Sequence, residues 1–325
     1  MAKPWLAERW WRWGQALAGL LIVAFVARYL VRNWEVVRSE AVVWELRPGW
    51  IAASLLLVLA TYAVLAESWR RMLMGWGGGG AGGQRLGFLT AARVWVISSM
   101  GKYLPGKVWA LAGMAVLAAR RGISPAAATG SALVLQVVSL GTGALLVGAT
   151  GIVALEAHRP GIRLALGVIL AASSAGLVVV MTPALAGRLL GRFTREPGQR
   201  LTPRPGAVGF GIAANLAAWT TYGLALWCLA RGTLPSAGLP LTDAVGGFAG
   251  SYIAGLLFLL APGGLGVREG VFVWMLQDRI GPANALALAG VSRIGMTLAD
   301  VLAALPFVFA KPGAPGKPES DRDPT

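Results

Sequence analysis

The sequence predicts an all-α polytopic membrane protein: about six full transmembrane helices plus two oppositely oriented re-entrant helical hairpins, arranged as an inverted internal repeat. Three observations predict it. Of 325 residues, 56% are hydrophobic and only 13% charged, too apolar for a soluble domain of this size. Apolar windows at 14–31, 50–66, 126–155, 164–182, 207–230 and 285–310 can each cross a bilayer of about 30 Å, which takes roughly 20 helical residues. Finally, Pro-Gly landmarks recur in the chain at one constant offset.

Residues 1–46 hold the N-terminus and the first span, whose apolar stretch runs into Arg28 and Arg32 without a small-residue cleavage pattern, so an uncleaved span is expected. Trp10, Trp11 and Trp13 at one end and Trp34 beyond the other read as interfacial anchors. Residues 47–155 form the first repeat with a hairpin over 86–120. Residues 156–203 supply a linking helix and a loop with Arg188, Arg192, Arg195, Arg200 and Arg204 at its end. Residues 204–310 form the second repeat with a hairpin over 243–277, and 311–325 is a proline-rich tail expected to be disordered.

Charge sets the orientation. A short connection as basic as 188–204 prefers the cytoplasmic side. Counted outward from it, Lys3, Arg9, Arg12, Arg70, Arg71, Arg85, Arg120, Arg121, Lys311, Lys317 and Arg322 fall on the same side and outnumber Arg32, Arg38, Arg47, Arg159, Arg163, Arg231 and Arg279 opposite. Both termini are therefore expected in the cytoplasm, in a multi-pass inner-membrane protein. The count requires 86–120 and 243–277 each to enter and leave by one face. Their limbs after the Pro-Gly, 107–119 and 264–276, are too short to cross alone, so a re-entrant loop is preferred to two spans.

The repeat is read from spacing. Pro105-Gly106 and Pro262-Gly263 mark the hairpin tips (262 − 105 = 157), Arg47-Pro48-Gly49 and Arg204-Pro205-Gly206 open the preceding spans (204 − 47 = 157), and Pro125 and Pro282 follow the hairpins (282 − 125 = 157). Copies of opposite orientation are the plan of secondary transporters, in which interrupted helices from both faces meet near the midplane.

Candidate binding residues gather at the tips. Lys102, Tyr103 and Lys107 flank Pro105-Gly106, with Trp109 just beyond. A helix that stops and restarts there aims free amides at the tip, and beside two ammonium groups a phosphate is the natural guest. The alternative is two lysines snorkelling to the headgroups. At the second tip Gly263, Gly264 and Gly266 bare backbone amides next to Pro262, and Arg268 can hold phosphate bidentately, with Glu269 orienting it, pairing with it or taking a proton. Charges inside spans tend to face partners or a wet cavity. Arg293 and Asp300 are seven apart, on one helix face, and mutual pairing is their commonest explanation. Arg293 is also a candidate lipid contact, while Arg93 and Asp300 are assigned to structural ion pairing.

Several classes are excluded or disfavoured. With Cys228 the only cysteine and His158 the only histidine, one chain can build no disulfide framework, zinc site or histidine triad. No cofactor, metal or catalytic constellation is expected. The net charge of +15 is explained by topology, so no nucleic acid is expected either. The run GGGGAGG at 77–83 reads as a flexible loop, since no strand precedes it.

At GKYLPGKVW, then AARRGIS, and at APGGLGVREGVF, the chain resembles the lysylphosphatidylglycerol synthase transmembrane family, the flippase-like membrane domain of MprF-type proteins, from about residue 10 to about residue 310. Pro262, Gly263, Gly264, Leu265, Gly266, Val267, Arg268, Glu269 and Gly270 match the more specific of its motifs. The resemblance implies a lipid translocase without the synthase domain, moving a polar, phosphate-bearing lipid between leaflets. The partners expected are a membrane phospholipid or polyprenyl-phosphate lipid; a homo-oligomer and a separate lipid-modifying enzyme are compatible with this. The rival is a membrane-embedded transferase or accessory subunit that presents such a lipid to an enzyme.

Overall fold

The computed structural model describes residues 42–75, 86–103, 108–154, 160–182, 204–257, 264 and 266–309. The first span, the glycine run, the basic loop, His158 and the tail lie outside them. Among the described residues the elements are helical: α1 Pro48–Gly75, α2 Phe88–Ser99, a tight turn Met100–Tyr103, α3 Val108–Ala119, α4 Pro125–Ala154, α5 Pro160–Met181, α6 Pro205–Thr233, α7 Leu241–Leu257, α8 Val267–Ile280 and α9 Pro282–Phe309. Four of these, Pro48–Gly75, Pro125–Gly151, Pro205–Thr233 and Pro282–Phe309, are long and apolar enough to cross a membrane, at four of the six expected windows. The window at 164–182 falls in the 22-residue α5, and the one at 14–31 is outside the described residues. The chain is a multi-pass membrane protein.

Proline begins each of the four long helices, where its missing N–H costs no intrahelical bond and its fixed φ suits the first turn. Those starts keep the offset: Pro48 to Pro205 and Pro125 to Pro282 are both 157 positions (205 − 48 and 282 − 125).

α1 and α6 form the most extensively packed pair and run antiparallel, tied at both ends by equivalent bonds. Arg47 N–H donates to Gly232 C=O at 2.9 Å, and Arg204 N–H donates to Gly75 C=O at 3.4 Å. Both partners are related by 157 (204 − 47 and 232 − 75), so the two contacts exchange under a pseudo-two-fold. Both glycines permit close approach: a Cβ at Gly75 would lie 2.7 Å from Ala207 Cβ, and one at Gly232 would lie 2.8 Å from Ile51 Cγ1.

Hairpin α2–α3 packs on α1 and α4, around Trp69, Val94 and Met114. Hairpin α7–α8 packs on α6, α4 and α9, in the larger core with Phe248, Phe272 and Leu288. α2 and α3 have 12 residues each, about 18 Å at 1.5 Å per residue, and α8 has 14, about 21 Å; none reaches across about 30 Å of hydrocarbon alone.

Candidate functional site

The turn after α2 carries Lys102 and Tyr103 toward α9. Lys102 Nζ lies 2.7 Å from Asp300 Oδ2, the Tyr103 hydroxyl donates to the same oxygen at 2.5 Å, and the Tyr62 hydroxyl of α1 donates to Oδ1 at 2.7 Å. Asp300 is only 2% exposed. A carboxylate in an apolar bundle needs such donors, because burial without them costs several kcal/mol.

Asp300 is thus part of an ion pair, and its partner is Lys102, because the turn at the first tip reaches α9 and offers an ammonium at contact distance. Arg93 sits on α2, and Arg293 Nη1 is 3.7 Å from Glu269 Oε1.

The second tip is built on positive-φ glycines. Gly264 (φ 71°) and Gly266 (φ 82°) adopt the left-handed region that residues with a Cβ avoid. A Cβ at Gly264 would also lie 2.9 Å from Gly255 Cα, so the chain crosses α7 backbone to backbone. Gly266 N–H donates to Glu269 Oε2 at 2.7 Å. Glu269 thus turns back to cap α8, satisfying an amide that would otherwise be orphaned at the helix start.

Capping leaves Arg268 without a carboxylate of its own. Its side chain runs inward, 7% exposed, with the guanidinium carbon 5.1 Å from the Phe248 ring centroid and 5.4 Å from that of Tyr252. Among the described residues it has no ion-pair or hydrogen-bond partner. Tyr62, Tyr252, Glu269 and Arg293 lie within its electrostatic reach, and Arg293 also lies within that of Tyr103. Residues of both tips therefore converge on one polar region at α9.

Of the other candidate residues, Trp109 is in the first turn of α3, half exposed, while Pro105, Gly106, Lys107, Pro262 and Gly263 lie outside the described residues. Sequence reasoning missed Tyr62, Phe248 and Tyr252, which hold Asp300 and Arg268. Their signal was faint: single aromatics inside apolar helices usually read as core.

Among the described residues the Asp300–Tyr62 contact is not repeated in the other half. The repeat offset sends Asp300 to Gly143 (300 − 157) and Tyr62 to Trp219 (62 + 157). A Cβ at Gly143 would meet the Trp219 ring at 2.9 Å, so the second copy of the carboxylate–tyrosine contact is an indole packed on bare backbone.

An antiparallel, all-helical membrane bundle that carries, among the described residues, a buried arginine near the meeting of two short hairpins defines the class: a polytopic membrane protein. The chain belongs to the family described as the lysylphosphatidylglycerol synthase TM region, whose sequence model matches residues 16–304. No curated protein matches the chain.

Proposed function

We propose that this protein is a lipid translocase of the cell (inner) membrane that moves a phosphate-bearing polar lipid between leaflets, with Arg268 as the principal phosphate ligand. In this reading 86–120 and 243–277 are re-entrant hairpins entering from opposite faces, and both termini are cytoplasmic. Family membership places the chain in a lipid-related setting.

The observation that carries the reading is Arg268 itself. A guanidinium buried among apolar side chains is costly unless an anion compensates it. Its planar fork matches two phosphate oxygens, and the Phe248 and Tyr252 rings hold it by cation–π attraction without neutralising it. Lys102, side chain 34% exposed, can swing from Asp300 to an arriving phosphate as a second cation.

The test is leaflet exchange of labelled phospholipids in proteoliposomes. A charged hydrogen bond contributes about 1.5–3 kcal/mol, so Arg268→Gln should slow transfer about tenfold or more, while Arg268→Lys, keeping charge but not the fork, should fall between. Transfer at the parent rate by a normally folded Arg268→Gln protein refutes the reading.

A further inference from the structure

A cleft of about 60 Å³, partly open to the surroundings, runs between α1, α6, α7 and α9. Aliphatic side chains such as Ile51 and Leu229 line it, and Ser292 and Gly295 of α9 lie along one wall.

The fold does not demand this opening, because the repeat builds the same place twice. Adding or subtracting 157 sends Ile51 to Val208, Leu229 to Met72, Ser292 to Leu135 and Gly295 to Val138. Those four counterparts lie in a packed core cluster, with Val208, Met72 and Val138 at most 1% exposed. α4 fills with leucine and valine what α9 leaves open with serine and glycine. An unfilled apolar cavity costs stability in proportion to its volume, so the space calls for an occupant.

Two observations identify it. Phe248 lines the cleft and also underlies Arg268, so a molecule with its anion on Arg268 continues past that ring into apolar space. Ser54 and Ser292 line the cleft at 6% and 4% exposure, and no hydrogen bond joins their hydroxyls to another described residue. Thr61, Thr142 and Thr233, by contrast, donate to carbonyls of their own helices. Two spare hydroxyl donors on an aliphatic wall suit the ester carbonyls at the head of an acyl chain, which an isoprenyl chain lacks.

We propose that this cleft is the slot for one acyl chain of the phospholipid whose phosphate is held at Arg268; the inference rests on the reading of Arg268 given above.

The experiment transplants the packed copy into the open one. A Cβ at Gly295 meets only Leu229 Cδ2 at 3.9 Å, so the backbone there takes a side chain, and Ser292→Leu/Gly295→Val carries the packed copy's residues into the cleft. The filled variant should melt at or above the parent temperature and lose transfer of long-chain phospholipid. It should still be protected against melting by a water-soluble short-chain phosphatidic acid, which needs Arg268 but not the slot. Arg268→Gln should lose both. Parent-rate transfer by the filled variant overturns the slot, whereas parent-rate transfer by Arg268→Gln alongside a silent filled variant removes the phosphate reading and leaves the slot standing. Should the filled variant not fold, Ser54→Ala/Ser292→Ala decides. The parent should be protected better by diacyl than by diether phospholipid or polyprenyl phosphate, and the alanine variant should lose that preference. Equal protection of the parent by all three, or better protection by polyprenyl phosphate, refutes an acyl occupant.

Discussion

Lys102 Nζ and Asp300 Oδ2 lie 2.7 Å apart, joining the turn after α2 to the buried face of α9. With the two tyrosine hydroxyls on the same carboxylate, the contact holds the first hairpin against the second repeat. Removing one member leaves an uncompensated charge, so Asp300→Asn and Lys102→Met should each destabilise by about 1.5–3 kcal/mol. The double variant should cost less than the sum of the two, with a coupling of about 0.5–3 kcal/mol. Thermal melting of the four proteins in one detergent measures this, and strict additivity would show that the pair contributes nothing.

The pseudo-two-fold contact predicts a matched pair of sensitive glycines. Gly75→Ala and Gly232→Ala press a methyl into Ala207 and Ile51 respectively, and overpacking of this kind costs about 1–3 kcal/mol. Gly49→Ala, with nothing within 4 Å of its added Cβ, should be neutral or slightly stabilising. Melting temperatures of the three variants rank them, and equal values would contradict the close α1–α6 approach.

The aromatic platform under Arg268 predicts a graded series. Tyr252→Phe keeps the ring and should transfer lipid near the parent rate, whereas Tyr252→Leu and Phe248→Leu remove a cation–π contact of about 0.5–2 kcal/mol and should slow transfer severalfold. Recovery with phenylalanine but not leucine separates ring electronics from bulk.

Antiparallel α1 and α6 imply that the two ends of α6 face opposite sides. In a Cys228→Ala background, Gly206→Cys and Ser236→Cys, both at exposed positions, should react with a membrane-impermeant thiol reagent from opposite faces of oriented vesicles. Labelling of both from one face would show that α6 does not cross the membrane.

Much of the architecture is legible in the chain because its causes are local. Helix starts follow from proline's missing donor, span lengths from bilayer thickness, and the repeat from Pro-Gly punctuation that survives at one offset. Glu269 and Arg268 stood out in the sequence because charge inside apolar sequence needs a reason to be there. Their division of labour was not. Whether Glu269 pairs with Arg268 depends on Gly266 presenting an amide 2.7 Å from its carboxylate, a matter of backbone conformation.

By itself the sequence determined an all-helical membrane protein, the places where its helices break, and a pair of related halves, all of which depend on periodicity, length and spacing along one chain. Only the tertiary structure decided which charges meet. Asp300 finds Lys102, 198 residues away in the chain (300 − 102), because the hairpin turn crosses to α9. Among the described residues Arg268 has no hydrogen-bonded carboxylate, and the neighbouring Glu269 turns back to its own helix cap. One half-site holds a carboxylate under a tyrosine where its counterpart holds bare backbone under an indole. Ion pairing is a short-range effect between side chains distant in sequence, so it is settled by how the helices cross, which no spacing along the chain records.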